Sequence, residues 1–497
     1  MLLRTGVTMT TSVLGKFARI LSSNIVVFLT GLLATPVITR ILGPSEYGVY
    51  AFLLSALAVL ALMADGGIFD GIRKYMAENN RPPEWKNHVV AFYTRVAVVF
   101  IALLATAIFL AIEFDLLVRY FGPEYDLYFA TIAGVVAAKQ VGAITRGSLM
   151  GLDLESVSES LKILNNLIFI GLGLTLLVMG YGILGLLFGK IVGYLTMATL
   201  GGAVLSRHLD ASWLVRRLPS SFPARELLEF NVGSLVLFGL YLSILHADIL
   251  MLEWFRSSSE TGIYRAALTF AEFLWFVPRI IQITLLHSTS TLWSDSKYER
   301  ITDISARTTR YTLAFTLLLV IGLAALAEPA VTLYFGPDFA AAAGPLLILL
   351  PGALGFAVAR PIFAIGQGNA DLRPLNYATG GAAGINLVGN FLLIPQYGMY
   401  GAAVATSVGY LSMLVFHVWS ARTIGFNPAV DLRLHRVGLT ALLSGGAIFL
   451  LTTWITTDVY ALLVVPPVGF AVYVGLSVAT GVVEFNELTS VLQSARS

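Results

Sequence analysis

Five residues between positions 265 and 279 have types and spacing that could do chemistry together. Arg265, Thr269, Glu272, Phe276 and Arg279 follow one another at intervals of four, three, four and three, so on a single helix they share a face. Their neighbours are apolar, and a charge on such a helix is costly unless it meets protein or water, so the face is expected to line a cavity. Two guanidinium groups offer forked donors to an anion. The carboxylate between them offers a switch, because it holds an arginine when ionised and releases it when protonated or bound to a cation. The reading weighed against this is an internal ion pair of Glu272 with Arg265 or Arg279, each two turns away on the helix.

The elements that carry these residues are set by composition. The chain has 497 residues, 57% hydrophobic and 12% charged, where an ordinary soluble domain has about 25% charged. That balance predicts an all-α integral membrane protein. There is no cysteine, and the six histidines lack ligand spacing, so neither a disulfide framework nor a metal site is expected. No phosphate-binding Gly-rich loop with Lys and Ser or Thr occurs, no paired carboxylate or Ser/His arrangement shares a helix face, and nothing suggests nucleic acid. An enzyme is therefore not expected. The N-terminal segment carries Arg4 and Lys16 and turns apolar only near Ile20, which predicts a retained first helix.

Apolar stretches at 20–42, 47–65, 89–113, 127–146, 162–179 and 182–205 predict six membrane helices. A basic segment with Arg216 and Arg217 follows, then six more stretches at 227–253, 261–291, 311–334, 341–361, 374–394 and 398–421. Two last ones, 437–455 and 459–481, bring the expected total to about fourteen. The domains so predicted are an N-terminal lobe over 1–206, a cytoplasmic linker over 207–226, a C-terminal lobe over 227–421 and two added helices within 437–481. With the N-terminus inside, the outer loops hold only Arg40, Arg119 and Arg256 of the 31 basic residues, which puts both termini in the cytoplasm.

The two lobes repeat one another. Ser45-Glu46-Tyr47-Gly48-Val49-Tyr50 recurs as Ser259-Glu260-Thr261-Gly262-Ile263-Tyr264, and Tyr120-Phe121-Gly122-Pro123 recurs as Tyr334-Phe335-Gly336-Pro337, both 214 positions on. Arg146 and Arg360 keep that offset. Tyr181-Gly182 and Tyr397-Gly398, then Gly193-Tyr194-Leu195 and Gly409-Tyr410-Leu411, match at 216. Four ordered matches drifting by two residues define a repeat. Six helices are an even number, so the copies run parallel, related by an axis along the membrane normal and facing each other across a central cavity.

The chain resembles the polysaccharide or oligosaccharide flippases of O-antigen translocase type, in the superfamily that also holds the multidrug and toxin extrusion antiporters and the lipid II flippases. The resemblance rests on R-I-L-G-P-S-E-Y-G-V-Y-A-F after the first helix, on A-D-I-L-M-L-E-W-F followed by S-E-T-G-I-Y-R-A-A, and on Y-G-M-Y-G-A-A-V-A-T-S from Tyr397. It runs from about residue 12 to 480. It implies alternating-access transport of a lipid-linked oligosaccharide, on a polyprenyl or dolichyl phosphate or pyrophosphate carrier, from the cytoplasmic to the outer leaflet of the cell membrane for surface glycan assembly. Membrane lipids and a glycan polymerase or glycosyltransferases are the partners it implies, and a coupling cation, H+ or Na+, the only cofactor. A drug/cation antiporter of the same fold, which would want a lobe-buried carboxylate, and a lipid II-type flippase stay open beside it. So does a non-transporting scaffold, which would have no use for membrane-embedded charges.

Features present in both lobes point to scaffold, and features that break the repeat point to function. The counterparts of Arg265 and Glu272 are Ala51 and Ala58, and that of Arg19 is Gly233. Arg19, Arg265 and Arg279 are accordingly expected to bind the anionic headgroup, with snorkelling at the inner and outer interfaces the alternative for Arg19 and Arg265. In the preceding helix Asn231, Ser234, Phe238, Tyr241 and Asp248 form a second face. Asn231 and Ser234 suit sugar hydroxyls at the cytoplasmic mouth, and Asp248 joins Glu272 as a coupling candidate or serves as a cap or pairing group. Arg146 and Arg360 are expected to snorkel, and Lys139 and Lys190 to pack or snorkel. Asp65 and Arg279 occupy equivalent positions with opposite charge. They are expected to form a cytoplasmic gate, with capping beside Gly66-Gly67 the alternative for Asp65.

Overall fold

The computed structural model describes residues 2–484 other than Asn79 and Ala370; side chains are described from Ser22 onward except those of residues 232–234, 236, 237, 287, 290 and 291. Among the described residues every regular element is helical. Ten helices are long and apolar enough to cross a membrane, or eleven if the bent pair Ser258–Phe273 and Phe276–Leu286 forms one span. The two compact units are Met1–Leu242 and Ser243–Ser497.

The first unit holds α1 (Leu2–Asp65), α2 (Ile68–Met76), α3 (Trp85–Glu113), α4 (Leu116–Phe121), α5 (Glu124–Gly151), α6 (Glu155–Leu176), α7 (Gly182–Leu205) and the start of α8 (Ala224–Phe255). The first unit therefore includes the start of α8. The cause is a core in which Leu227 of α8 is enclosed by Ile68, Ile72, Tyr75, Trp85, Val89 and Tyr93 of α2 and α3. The segment before α8 is itself held on α3. Arg95 donates to the main-chain carbonyls of Trp213, at 3.2 Å, and of Arg216, and the Trp213 ring meets His88 edge-on at 4.3 Å.

The second unit continues with α9 (Ser258–Phe273), α10 (Phe276–Ser294), α11 (Tyr298–Ala325), α12 (Ala327–Phe335), α13 (Ala343–Gln367), α14 (Arg373–Ile424), α15 (Leu434–Trp454) and α16 (Asp458–Ala479). Helix α13 is its buried axis. Gly352 lies so close to α14 that a Cβ there would sit 2.4 Å from the Ser407 Cα, and its N–H donates to Ser407 Oγ at 2.9 Å. The last two helices are fastened to α11 and α12. The Tyr473 hydroxyl donates to the Ala314 carbonyl at 2.8 Å, and Leu326 packs with Ile448, Ala461 and Val465. Arg433 ties the start of α15 to the chain after α16, bonding Asp431 at 3.0 Å, the Gly481 carbonyl at 2.7 Å and Glu484 at 2.8 Å.

The sequence repeat is also a backbone repeat. Gly182 has φ 54 and ψ −139, and Gly398 has φ 55 and ψ −133; Gly122 and Gly336, at φ 120 and 113, end the short helices α4 and α12. These positive-φ conformations are open at modest cost mainly to glycine, which explains why Tyr-Gly and Phe-Gly-Pro recur in both halves. Three long helical elements hold two of the expected apolar stretches each, joined through a non-helical glycine: Gly43 in α1, Gly398 in α14 and Gly180 in the turn between α6 and α7.

Candidate functional site

The residues first singled out by spacing lie on two helices, not one. Helix α9 ends at Phe273, α10 begins at Phe276, and the two are bent by 51°. Pro278 is the local cause. It has no N–H for the Leu274 carbonyl, and its ring would collide with that carbonyl in a continuous helix. Trp275 fixes the corner, because its indole N–H donates to the Ala353 carbonyl at 3.1 Å and its ring packs 4.5 Å from Phe356 and 5.3 Å from Tyr410. Arg265, Thr269 and Glu272 therefore share the face of α9, and Phe276 and Arg279 lie beyond the break.

On α9 the charges are already joined. The two terminal nitrogens of Arg265 donate to the two oxygens of Glu272 at 3.0 and 2.8 Å, and both side chains are about a quarter exposed, at 25% and 28%. This is the fork-on-fork geometry that makes guanidinium and carboxylate a strong, directional pair. No neighbouring helix is needed, since the arginine chain covers the two turns. Thr269, between them, is buried and donates back to the Arg265 carbonyl at 2.8 Å. Arg279 is exposed.

The start of α9 is organised by the repeated motif. The Ser257 hydroxyl caps the Glu260 N–H, Arg256 pairs with Glu260 at 3.1 Å, and the Glu260 carboxylate accepts the Met399 N–H at 3.1 Å. The Ser-Glu-Thr-Gly and Tyr-Gly-Met-Tyr-Gly motifs thus meet, with Glu260 bracing the glycine turn of α14.

Asp248 is fully buried inside the second unit and is not ion-paired by any contact described. It accepts the Tyr264 hydroxyl at 2.6 Å, the Thr406 hydroxyl at 3.1 Å and the Ile249 N–H at 2.8 Å. Asn386 donates to Thr406 at 3.3 Å. Asn386 Oδ1 and both polar atoms of Asn390, one turn further along α14, are buried without a hydrogen-bond partner. These asparagines escaped the sequence reading, although their approximate counterparts in the first repeat, Ile170 and Leu174, are apolar, and that contrast was the available signal.

Other expectations are corrected. Asn231, expected at the cytoplasmic mouth, is buried against α2 and α3, accepts the Tyr93 hydroxyl at 3.2 Å, and sits where Cβ atoms on Gly67 and Gly71 would touch it. Arg360 does not snorkel but is buried, donating to Gln282 at 2.9 Å with its guanidinium 4.8 Å from the Phe356 ring. Arg146 bonds Glu159 at 3.0 Å and Ser158 at 3.3 Å, and Lys162 pairs with the same carboxylate at 3.5 Å. Asp65 accepts Gln140 at 3.4 Å and the Phe69 N–H at the start of α2, both within its own unit. The side chains of Arg19 and Ser234 lie outside the described residues.

The family described as "Polysaccharide biosynthesis protein" matches residues 13–281. A curated relative, the probable low-salt glycan biosynthesis flippase Agl15 of Haloferax volcanii, is 22% identical over 386 residues, covering 76% of this chain and 77% of the relative. An uncharacterized membrane protein of Methanocaldococcus jannaschii, MJ1068, is 26% identical over 200 residues, 38% of each chain. Among solved structures, lipid II flippase MurJ in an inward closed conformation superposes with a TM-score of 0.76 at 15% identity, over 93% of this chain and 98% of MurJ. An inward-facing multidrug resistance MATE transporter of the MOP superfamily gives 0.62 at 16% identity, over 80% and 94%. Both likenesses bear on the fold.

Proposed function

Because the chain belongs to the polysaccharide biosynthesis protein family, which matches more than half of it, we propose that it is a flippase carrying a lipid-linked oligosaccharide from the cytoplasmic to the outer leaflet. The carrier is a polyprenyl or dolichyl phosphate or pyrophosphate, and transport proceeds by alternating access. The observation that carries this is the Arg265–Glu272 pair, a guanidinium fork gripped by a carboxylate on the same membrane helix. A lipid phosphate presents the same paired oxygens as Glu272 and competes for the same donors. Binding of the headgroup then exchanges one anion for another on Arg265, and the freed Glu272 becomes open to a proton or cation. Arg279, exposed past the break, adds a second positive charge, and Arg19 is retained as a headgroup candidate.

Asp248 is the second coupling candidate. Its surroundings supply a carboxylate, the Thr406 hydroxyl and, bonded to Thr406, Asn386 with its unpartnered amide oxygen, an oxygen set suited to a small hard cation such as Na+, or to a proton on the acid. A cation there would supply the downhill gradient. The chain's own part is to hold the acid buried and polar, with Tyr264 and Thr406 fixing its oxygens. A lobe-buried carboxylate also fits the drug/cation antiporter reading, so the test must separate the two. The protein, reconstituted into proteoliposomes, is offered fluorescent polyprenyl-pyrophosphate oligosaccharide, fluorescent lipid II and ethidium. Movement of the first alone, quickened by a Na+ or H+ gradient, is expected; ethidium transport without lipid movement overturns the flippase reading.

The cell membrane, with both termini cytoplasmic, is the proposed location. A glycan polymerase or glycosyltransferases are the proposed neighbours in the pathway.

A further inference from the structure

The last helix leaves a groove against α11. Tyr311, Phe315 and Leu318 of α11 and Phe470, Val474 and Val478 of α16 line an open space of about 270 Å³ whose walls are almost wholly apolar. From Phe470 to Val478 it follows α16 for about 12 Å, room for a stretch of one hydrocarbon chain. Its walls are pinned together, because the Tyr473 hydroxyl donates to the Ala314 carbonyl at 2.8 Å and both residues belong to the lining. Both helices are long and apolar enough to cross a membrane, so the groove lies where hydrocarbon, and not water, covers open surface.

One hydroxyl interrupts that lining. Ser477 is 3% exposed and its Oγ has no hydrogen-bond partner, whereas Ser444 on α15 satisfies itself on the Thr440 carbonyl at 2.6 Å. A buried hydroxyl is costly when its hydrogen bond is left unmade, so Ser477 calls for an acceptor on whatever fills the groove. One turn on, past the end of α16, Gly481 at φ 74 folds the chain back, and the N–H groups of Val482 and Val483 donate to the Ser477 carbonyl at 2.9 and 3.2 Å. The same turn presents the Gly481 carbonyl to Arg433 at 2.7 Å and to Arg436 at 3.1 Å. Arg433 is taken up by Asp431 and Glu484, and Asp431 also holds Arg310, whose guanidinium lies 5.1 Å over the Tyr311 ring. Arg436 is exposed, and among the described residues it bonds that carbonyl and no carboxylate. Three arginines thus share two carboxylates at this end of the groove, and the charge of Arg436 is left over.

We infer that this corner is a binding site for one anionic glycerophospholipid of the surrounding membrane. One hydrocarbon chain lies in the groove between α11 and α16, the ester or ether oxygen at its head accepts the Ser477 hydroxyl, and the phosphate takes the Arg436 fork. The spacing agrees: Gly481, which holds Arg436, follows Ser477 by four residues, about 6 Å of helix rise, comparable to the reach of a glycerol from its chain oxygen to its phosphate. Basic groups beside membrane helices attract such headgroups at an anionic leaflet. The chain oxygen selects a phospholipid over an isoprenoid carrier, whose tail is hydrocarbon throughout. The bound lipid braces α16 against α11, and the site stands whatever the protein transports.

The test uses the full chain, delipidated in detergent, and three added lipids: phosphatidylglycerol, phosphatidylcholine and polyprenyl monophosphate. Native mass spectrometry reads the affinities, and a phosphatidylglycerol with a diazirine in one acyl chain reads the place. Phosphatidylcholine has the same phosphate with its own cation beside it, so phosphatidylglycerol is expected to bind about fivefold or more tighter. Its diazirine should label peptides of α11 and α16. Arg436→Gln should bring the two lipids to equal affinity, Arg436→Lys should keep most of the preference, and Ser477→Ala should weaken both about threefold, the worth of one neutral hydrogen bond. Equal binding of the two lipids by the wild type overturns the site, and needs no variant to fold. So does labelling confined to other helices, a preference that survives in Arg436→Gln, or undiminished binding by Ser477→Ala. Polyprenyl monophosphate that displaces the diazirine label at equal concentration overturns it as well, and gives the groove to the carrier.

Discussion

Arg265 and Glu272 stand seven residues apart on one helix and still meet through two parallel N–H···O contacts of 3.0 and 2.8 Å. Seven residues rise about 10 Å, so the arginine must lie extended along α9 to make them. An extended guanidinium gripped by a carboxylate is poised for exchange. Arg265→Ala should reduce flipping of the polyprenyl-pyrophosphate probe at least about thirtyfold, since removing one partner of a desolvated charged contact costs about 2 to 5 kcal/mol. Arg265→Lys should recover little, because an ammonium cannot fork. Initial rates in proteoliposomes decide it, and wild-type rates for both variants would disprove the assignment.

Glu272→Gln should keep headgroup binding or tighten it, because its competitor for Arg265 loses charge, while net transport falls and its dependence on pH and sodium flattens. Normal transport with unchanged dependence would remove Glu272 from coupling. The double change Arg265→Ala with Glu272→Gln should be non-additive, as expected of residues in direct contact.

Asp248→Asn tests the acidic corner separately. If that corner holds a cation, sodium should raise the melting temperature of the wild type relative to choline at equal ionic strength. The variant should show no such rise while still eluting as a single species. A sodium-dependent rise that persists in Asp248→Asn would place the cation elsewhere.

Asp65 and Arg279 are proposed to pair when the cytoplasmic side closes. The bonds of Asp65 to Gln140 and Phe69 give the competing role of a helix-end anchor. Asp65→Arg with Arg279→Asp should transport better than either single change if the pair is direct. Additive losses would leave Asp65 as an anchor for α2.

Gly398→Ala should lower the melting temperature and the monodisperse yield. Its φ of 55 disfavours any other residue, and a Cβ there would come within 2.0 Å of Glu260, the carboxylate that holds the Met399 N–H. The backbone penalty alone is about 1 to 2 kcal/mol. Gly446→Ala, with nothing within 4 Å, is the control and should behave as wild type.

These contrasts show what the chain discloses by itself. The paired turns were legible because a left-handed backbone admits essentially glycine, and Gly182 and Gly398 hold nearly identical angles. The charge on α9 was legible because its repeat counterparts are alanine. The anchoring of the corner at Leu274 and Trp275 was not, because its hydrogen bond reaches Ala353, 78 positions away. Nor was the burial of Asn231, which depends on Tyr93, 138 positions back. The acidic corner joins Asp248 to Thr406 across 158 positions, beyond any local spacing rule.

The first unit ends after Leu242, so it carries the start of α8 as its own. Two attachments fix that start from within the unit: Leu227 is enclosed by α2 and α3, and Arg95 clips Trp213 and Arg216 onto α3. A protease nick between Arg216 and Arg217 would therefore sever the chain and leave both attachments in place, one on either side of the cut.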